Sequence, residues 1–124
     1  MEYQSILLFV YGTLMRGDVR SSAMQGQQFL SLAATAPRYG LFDCGDYPAL
    51  VPLEEHGESI RGELWRVAAD AVPRLDAVEG SDEGWFVRGP VELVDEHADL
   101  EVQAYFFGWS VENLPRLSGG WTRR

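Results

Sequence analysis

Ile6-Leu7-Leu8-Phe9-Val10-Tyr11-Gly12-Thr13-Leu14-Met15-Arg16-Gly17 is the stretch on which the reading of this chain turns. Residues Ile6 to Tyr11 are β-rich and apolar without a break, the pattern of a strand buried on both faces. Gly12 stops it. Glycine directly after a strand lets the chain turn sharply and exposes successive backbone N–H groups. Such groups can hold a carboxylate or a developing oxyanion with no cationic side chain. The same residues also fit a plain strand-ending turn that binds nothing.

Outward from this stretch, short apolar runs alternate with glycine and charged punctuation. Val19 to Gln28 has room for a short helix, and Phe29 to Arg38 fits either strand or loop. Tyr39 to Cys44 reads as a strand ended by Gly45-Asp46-Tyr47-Pro48, and Ala49 to Leu53 as extended. Glu54-Glu55-His56-Gly57 reads as a tight surface loop. Ser59 to Val67 alternates Ile60, Gly62 and Leu64 with Arg61, Glu63 and Trp65, the period of a strand. The period then changes. Ala68, Ala71, Val72, Leu75 and Val78 fall at helical spacing, with Asp70 as a cap, Pro73 near the first turn and Gly80 just past the end. Phe86 to Leu93 and Leu100 to Trp109 read as two strands joined by Asp95-Glu96-His97-Ala98-Asp99. The tail through Trp121 looks irregular. The expected fold is α+β: one domain over residues 1–124, built on a small, mixed, closed or curled β-barrel with one or two flanking helices.

The 124 residues are 46% hydrophobic, enough for one core and too apolar for disorder. Nineteen acidic against ten basic residues give a charge of −9. Such a surface repels nucleic acid and anionic membrane, so neither is an expected partner. The run Ile6 to Val10 is far short of the roughly 20 residues of a membrane span. Met1-Glu2-Tyr3-Gln4-Ser5 lacks the basic region and cleavage pattern of a secretory signal. Cys44 is the single cysteine. It fits a reducing, cytoplasmic compartment, and reads as a small buried apolar residue. Oligomeric state is left open.

Most familiar chemistries lack their residues. His56 and His97 are the two histidines, each in a charged loop read as exposed. No spacing of His, Cys or Asp suits a metal, and no Gly-rich nucleotide loop or nucleophile elbow is present, so neither metal nor cofactor is expected. One carboxylate stands out. Glu79 lies four residues after Leu75, about 40° away around a helix, and so borders the apolar face. A carboxyl at such an edge, beside a helix C-terminus, has a raised pKa and serves as a base near neutral pH. Among nineteen acidic residues, a solvated surface role is the plainer alternative.

Taken together and in order, these segments resemble the gamma-glutamylcyclotransferase-like family, which includes the gamma-glutamylamine cyclotransferases and avirulence-induced-gene-like proteins. Tyr11-Gly12-Thr13-Leu14, with Arg16-Gly17, is similar to its Tyr-Gly-(Ser/Thr)-Leu signature. Tyr47-Pro48-Ala49 is similar to its second loop, and Gly62-Glu63-Leu64-Trp65 to its Gly-Glu-(Leu/Val)-(Tyr/Trp) strand. Leu75-Asp76-Ala77-Val78-Glu79-Gly80, then Trp85 and Arg88, is similar to its Leu-Asp-x-x-Glu segment and following aromatic-x-x-Arg. The order holds from about Ile6 to Phe107. The resemblance implies a β-barrel fold, with Glu79 as the catalytic acid/base. It also implies substrate binding by Tyr11, Gly12, Thr13 and Leu14, joined by Trp85 and Arg88. Trp85 stands where many members carry Tyr, so a hydroxyl contact is lost there. For Arg88, which could hold a substrate carboxylate, pairing with an acidic neighbour is the favoured role.

The reaction so implied cyclises a γ-glutamyl amine or amino acid to 5-oxoproline and releases the amine. An ammonium of pKa about 8 cannot attack until a base takes its proton, and one carboxylate can take that proton and return it. The alternative is a binding or protein-interaction module on the same scaffold, without catalysis. A glycosidase with paired carboxylates needs a longer cleft than so small a chain offers.

Overall fold

The opening apolar run becomes β1 (Ser5–Val10), at the middle of a five-stranded sheet in the computed structural model, which describes residues 4–122. Residues 1–3, part of the amino-terminal stretch read as lacking a secretory signal, lie outside the described residues. Behind β1 come β2 (Gln28–Ala34), β3 (Tyr39–Asp43), β4 (Pro48–Pro52) and β5 (Arg61–Ala68). The helix α1 (Val72–Val78) follows, then β6 (Phe86–Val91), β7 (Val102–Phe107) and β8 (Arg116–Leu117). Ser21–Met24 is a 3₁₀ turn, so the short helix expected near there is a tighter and shorter element.

The large sheet runs β2-β5-β1-β7-β6, and β4-β3-β8 forms a second sheet. β1 pairs antiparallel with β5, from Ser5 opposite Ala68 to Val10 opposite Glu63, and parallel with β7 at Leu7 and Val102. Because successive side chains point to opposite faces, β1 feeds two cores. Leu8 and Val10 pack toward α1 with Val72 and Leu75. Phe9 and Tyr11 pack toward the second sheet with Leu41 and Leu50. This double covering is why the run is continuously apolar.

β5 is covered on both faces for the same reason. Gly62, Glu63, Leu64 and Trp65, residues of both parities, are all buried. The sheet curls until Thr35, after β2, forms a bridge with Leu93, after β6. Hydrogen bonds from Val94 N–H to the Ala34 carbonyl (3.1 Å) and from Ala36 N–H to the Glu92 carbonyl (2.8 Å) seal that corner. Among the described residues no continuous ladder joins β2 to β6 and there is one α-helix, so the architecture is a curled sheet with a helix against it. The structure makes Phe29 to Ala34 strand, since that backbone pairs with β5 across a bulge between Phe29 and Ser31, and leaves the stretch from Ala36 to Arg38 as loop.

Several local expectations change. Asp70 does not cap α1: it lies in a 3₁₀ turn, and the N-cap position belongs to Ala71 without a side-chain bond. Pro73 does sit in the first turn. Val78 is 38% exposed, because the helix ends there and its last residue faces an opening rather than the core. Cys44 is half-buried rather than buried, at a turn beside the exposed Gly45. His97 is not exposed: its side chain is 13% accessible, and its Nε2 lies 3.2 Å from Ser31 Oγ. The tail is not wholly irregular, since β8 pairs with β3. No helix among the described residues is long and apolar enough to cross a membrane.

Candidate functional site

At the C-terminal end of β1 a cavity of about 230 Å³ opens between the loop after the strand and the end of α1. Phe9, Val10, Tyr11, Leu14, Phe86 and Tyr105 line it and are buried, so they form its floor and walls. Arg20, Val78 and Trp85 line it and are exposed, so they form its rim. Glu79, Gly12, Thr13, Tyr47 and Pro48 complete the lining.

The loop after β1 is held on three sides. Met15 N–H bonds to the Gly12 carbonyl at 3.0 Å, and Arg20 N–H to the Thr13 carbonyl at 2.9 Å. Glu63, buried in β5, accepts from Arg16 N–H (3.0 Å), Arg16 Nε (3.0 Å) and Trp65 Nε1 (3.1 Å). The Arg16 guanidinium also lies 3.5 Å from the centre of the Phe29 ring. Gly12 is required by closeness rather than by dihedral angle: a Cβ there would stand 2.7 Å from Pro48 Cγ. The N–H groups of Gly12, Thr13 and Leu14 donate to no protein acceptor among the described residues.

Glu79 is the C-cap of α1, its N–H bonded to the Leu75 carbonyl at 3.0 Å. Gly80 follows with φ of 70°, the left-handed conformation that ends helices. The chain then returns so that Trp85 N–H bonds to the Gly80 carbonyl at 3.1 Å. This reversal leaves the Glu79 side chain at the cavity wall. Burial pushes its carboxyl up from an ordinary 4.5 to about 7, against the opposing pull of the nearby Arg20 charge. Burial, and then the Glu79 charge, also raise the Tyr11 hydroxyl.

Behind Glu79, one helical turn back, Asp76 is fixed from two strands. Arg88 of β6 reaches it with Nε at 3.1 Å and Nη2 at 3.3 Å, and Tyr105 Oη of β7 donates to it at 2.7 Å. Burial raises the Asp76 carboxyl, but the hydrogen bonds from Arg88 and Tyr105 and the Arg88 charge outweigh it and leave it below its ordinary value. Arg88 Nη1 donates to Gln103, and Tyr11 Oη to the Tyr105 carbonyl. Among the described residues, no group of three or more His, Cys, Asp or Glu side chains is placed to hold a metal ion.

Of the residues singled out from the sequence, Glu79, Tyr11, Gly12, Thr13, Leu14 and Trp85 meet at this one cavity. Arg88 does not line it and is engaged by Asp76 instead. Trp85 packs against Trp109 with ring centres 5.4 Å apart, its Nε1 bonded to Glu83 at 3.2 Å. Sequence reading missed Arg20 and Tyr105 as lining residues and Asp76 and Glu63 as supports. For Asp76 the signal was present: its i, i+3 spacing to Glu79 puts both on neighbouring helical positions. A carboxylate at Glu63, inside an otherwise buried strand segment, was a second signal, because a buried charge demands donors.

Residues 8–123 match the family described as gamma-glutamyl cyclotransferase, AIG2-like. A Vibrio cholerae protein named "Putative gamma-glutamylcyclotransferase" is 40% identical over 73 residues, covering 59% of this chain and 61% of that protein. An Arabidopsis thaliana protein of the same name is 34% identical over 112 residues, covering 79% of this chain and 59% of that protein. The chain therefore spans less than two thirds of the length of either relative. A uropathogenic E. coli-specific protein of known structure superposes with a TM-score of 0.79 at 27% identity, over 95% of this chain and 93% of the other. An AIG2-like protein from Mus musculus shares the fold, with a TM-score of 0.78 at 23% identity over 97% and 90%. With a match running from β1 into the tail, the chain belongs to the gamma-glutamyl cyclotransferase, AIG2-like family.

Proposed function

We propose that this domain is a γ-glutamyl cyclotransferase, cyclising a γ-glutamyl amine or amino acid to 5-oxoproline with release of the free amine. The observation that carries this reading is the Glu79 carboxyl at the cavity wall, titrating near 7 beside the loop after β1. In the reaction, Glu79 takes a proton from the substrate's α-ammonium. The freed amine attacks the γ-carbonyl carbon, and the C–N bond to the leaving group breaks as that nitrogen is protonated. Two protons pass from the attacking to the leaving nitrogen, and a carboxyl with a pKa near neutrality relays them one at a time. The N–H groups of Gly12, Thr13 and Leu14 serve the γ-carbonyl oxygen as it gains charge, with Tyr11 fixing the start of the loop. Trp85 bounds the leaving-group side. Folding the substrate back on itself supplies proximity, so the step as proposed uses neither metal nor cofactor. A lone thiol, Cys44, accords with a reducing, cytoplasmic setting.

Release of 5-oxoproline from a panel of γ-glutamyl compounds tests the reading. Glu79→Gln keeps the shape and removes proton exchange, so the variant should fold normally and lose turnover by about 10²-fold or more. A variant keeping a tenth of wild-type turnover rejects Glu79 as the acid/base. A wild-type chain that binds γ-glutamyl compounds but leaves all of them intact is a binding module instead.

A further inference from the structure

Among the described residues, Arg20 is the one cationic side chain that lines the cavity, and it stands at the rim. Its backbone is tied into the substrate loop by the bond from its N–H to the Thr13 carbonyl at 2.9 Å. Ala23 N–H bonds back to the Arg20 carbonyl at 3.0 Å, so the residue is anchored on both sides. Its guanidinium makes no ion pair or hydrogen bond to another described residue. Other arginines of this acidic chain are engaged: Arg16 by Glu63, Arg38 by Glu92, Arg88 by Asp76 and Arg116 by Glu58. With nineteen acidic residues against ten basic ones, an arginine in no ion pair with a described carboxylate, standing at a cavity mouth, is available for an anion from outside.

Geometry decides which anion. The glutamyl part of a substrate must reach Glu79 with its α-amine and the Gly12 to Leu14 loop with its γ-carbonyl, so it fills the deeper part of the cavity. The departing amine then leads outward to the rim. There it meets Arg20, together with the apolar surfaces of Val78 and Trp85.

We infer that Arg20 is a specificity-determining residue that holds a carboxylate on the leaving group, so that the substrate is the γ-glutamyl derivative of an α-amino acid rather than of a plain amine. The inference rests on the cyclotransferase reading for the direction in which the substrate lies. Val78 and Trp85 give the side chain of that amino acid an apolar resting place. Arg20's charge also reaches Glu79 and Tyr47, opposing the rise that burial gives each group, which fits a guanidinium close over the opening.

The test compares γ-glutamyl-L-phenylalanine with γ-glutamyl-phenethylamide, which differ by that carboxylate alone. Each is titrated by calorimetry into the Glu79→Gln protein, where no turnover intervenes, and into Glu79→Gln/Arg20→Ala. The acid should bind the first protein about tenfold more tightly than the amide, as expected of one charge-assisted bond at a half-exposed site. In the double variant that ratio should fall to within about twofold. Arg20→Lys in the same background should keep part of the ratio, since it retains charge without the fork. Equal binding of the two ligands by Glu79→Gln overturns the inference. So does a tenfold ratio that survives loss of Arg20. A parallel weakening of both ligands overturns it too, and puts the guanidinium on the glutamyl carboxylate. Failure of the wild-type protein to release 5-oxoproline from either compound rejects the cyclotransferase reading instead, while the binding ratios still judge Arg20.

Discussion

Glu79 carries a cost that makes it readable in solution. Its carboxyl is held at about 7 against an ordinary 4.5, so the folded chain binds its proton more tightly than the unfolded chain does. Stability from this group is therefore full below pH 4.5 and is lost as the pH rises through 7. Glu79→Gln should match the wild type near pH 4 and exceed it at pH 8 by on the order of 2 kcal/mol, allowing for solvent at a half-buried carboxyl. Urea unfolding at the two pH values measures this, and equal stability at both would show that the carboxyl is not desolvated. In turnover, the acid limb of kcat/KM should fall with an apparent pKa near 7 rather than 4.5.

Elements matter here through how they hold that residue and its loop. The short helix α1 is pinned to β6 and β7 by Asp76, Arg88 and Tyr105, with the Arg88 and Asp76 side chains each 28% exposed. Arg88→Ala leaves Asp76 with a partly buried charge short of its main partner. It should cost about 1–2 kcal/mol and lower turnover by letting the end of α1 shift. Thermal unfolding and 5-oxoproline release together check it. A raised KM with an unchanged Tm would mean that Arg88 meets substrate directly. In the loop, Gly12→Val must displace Pro48, which a Cβ would approach to 2.7 Å, whereas Thr13→Ala removes only a side chain. Gly12→Val should therefore lower both Tm and turnover far more than Thr13→Ala. The opposite order would show that the Thr13 hydroxyl, not the backbone, does the binding.

At the scale of the molecule, the tail closes the structure over the loop. Asp43 N–H bonds to the Pro115 carbonyl at 2.8 Å, and Arg61 N–H to the Gly119 carbonyl at 2.8 Å. Gly119 N–H bonds to Glu58 at 2.6 Å, and Trp121 Nε1 to Asp18 at 3.2 Å, the latter within the loop after β1. Trp121 packs on the core that contains Phe9 and Tyr11. Removing residues 115–124 should lower Tm by about 5 °C or more, since 1 kcal/mol moves a domain of this size by roughly that amount. It should also raise KM through the loosened loop. A truncated chain with unchanged Tm would show that the tail adds nothing to the fold.

Much of this was legible without coordinates because it depends on neighbours in sequence. An unbroken apolar run marks a strand covered on both sides, and β1 is one. Helical spacing through Val72, Leu75 and Val78, ended by Gly80 in the left-handed conformation, places Glu79 at a helix end, although the spacing read from Ala68 overran the start: Ala68 ends β5 and the α-helix begins at Val72. What tertiary structure alone decided depends on partners distant in sequence. Phe29 to Ala34 became a strand because β5 offered it a ladder, and the rest of that segment to Arg38 stayed loop beyond the ladder's end. Asp70 lost the cap because the chain entered α1 through a 3₁₀ turn. Arg88 was drawn to Asp76 twelve residues away, and Arg20 was left without an ion pair among the described residues. Periodicity reports which face of a segment is apolar. It carries no information on which charged side chains a curled sheet will bring within reach of one another, and that pairing settles which cation remains at the mouth of the cavity.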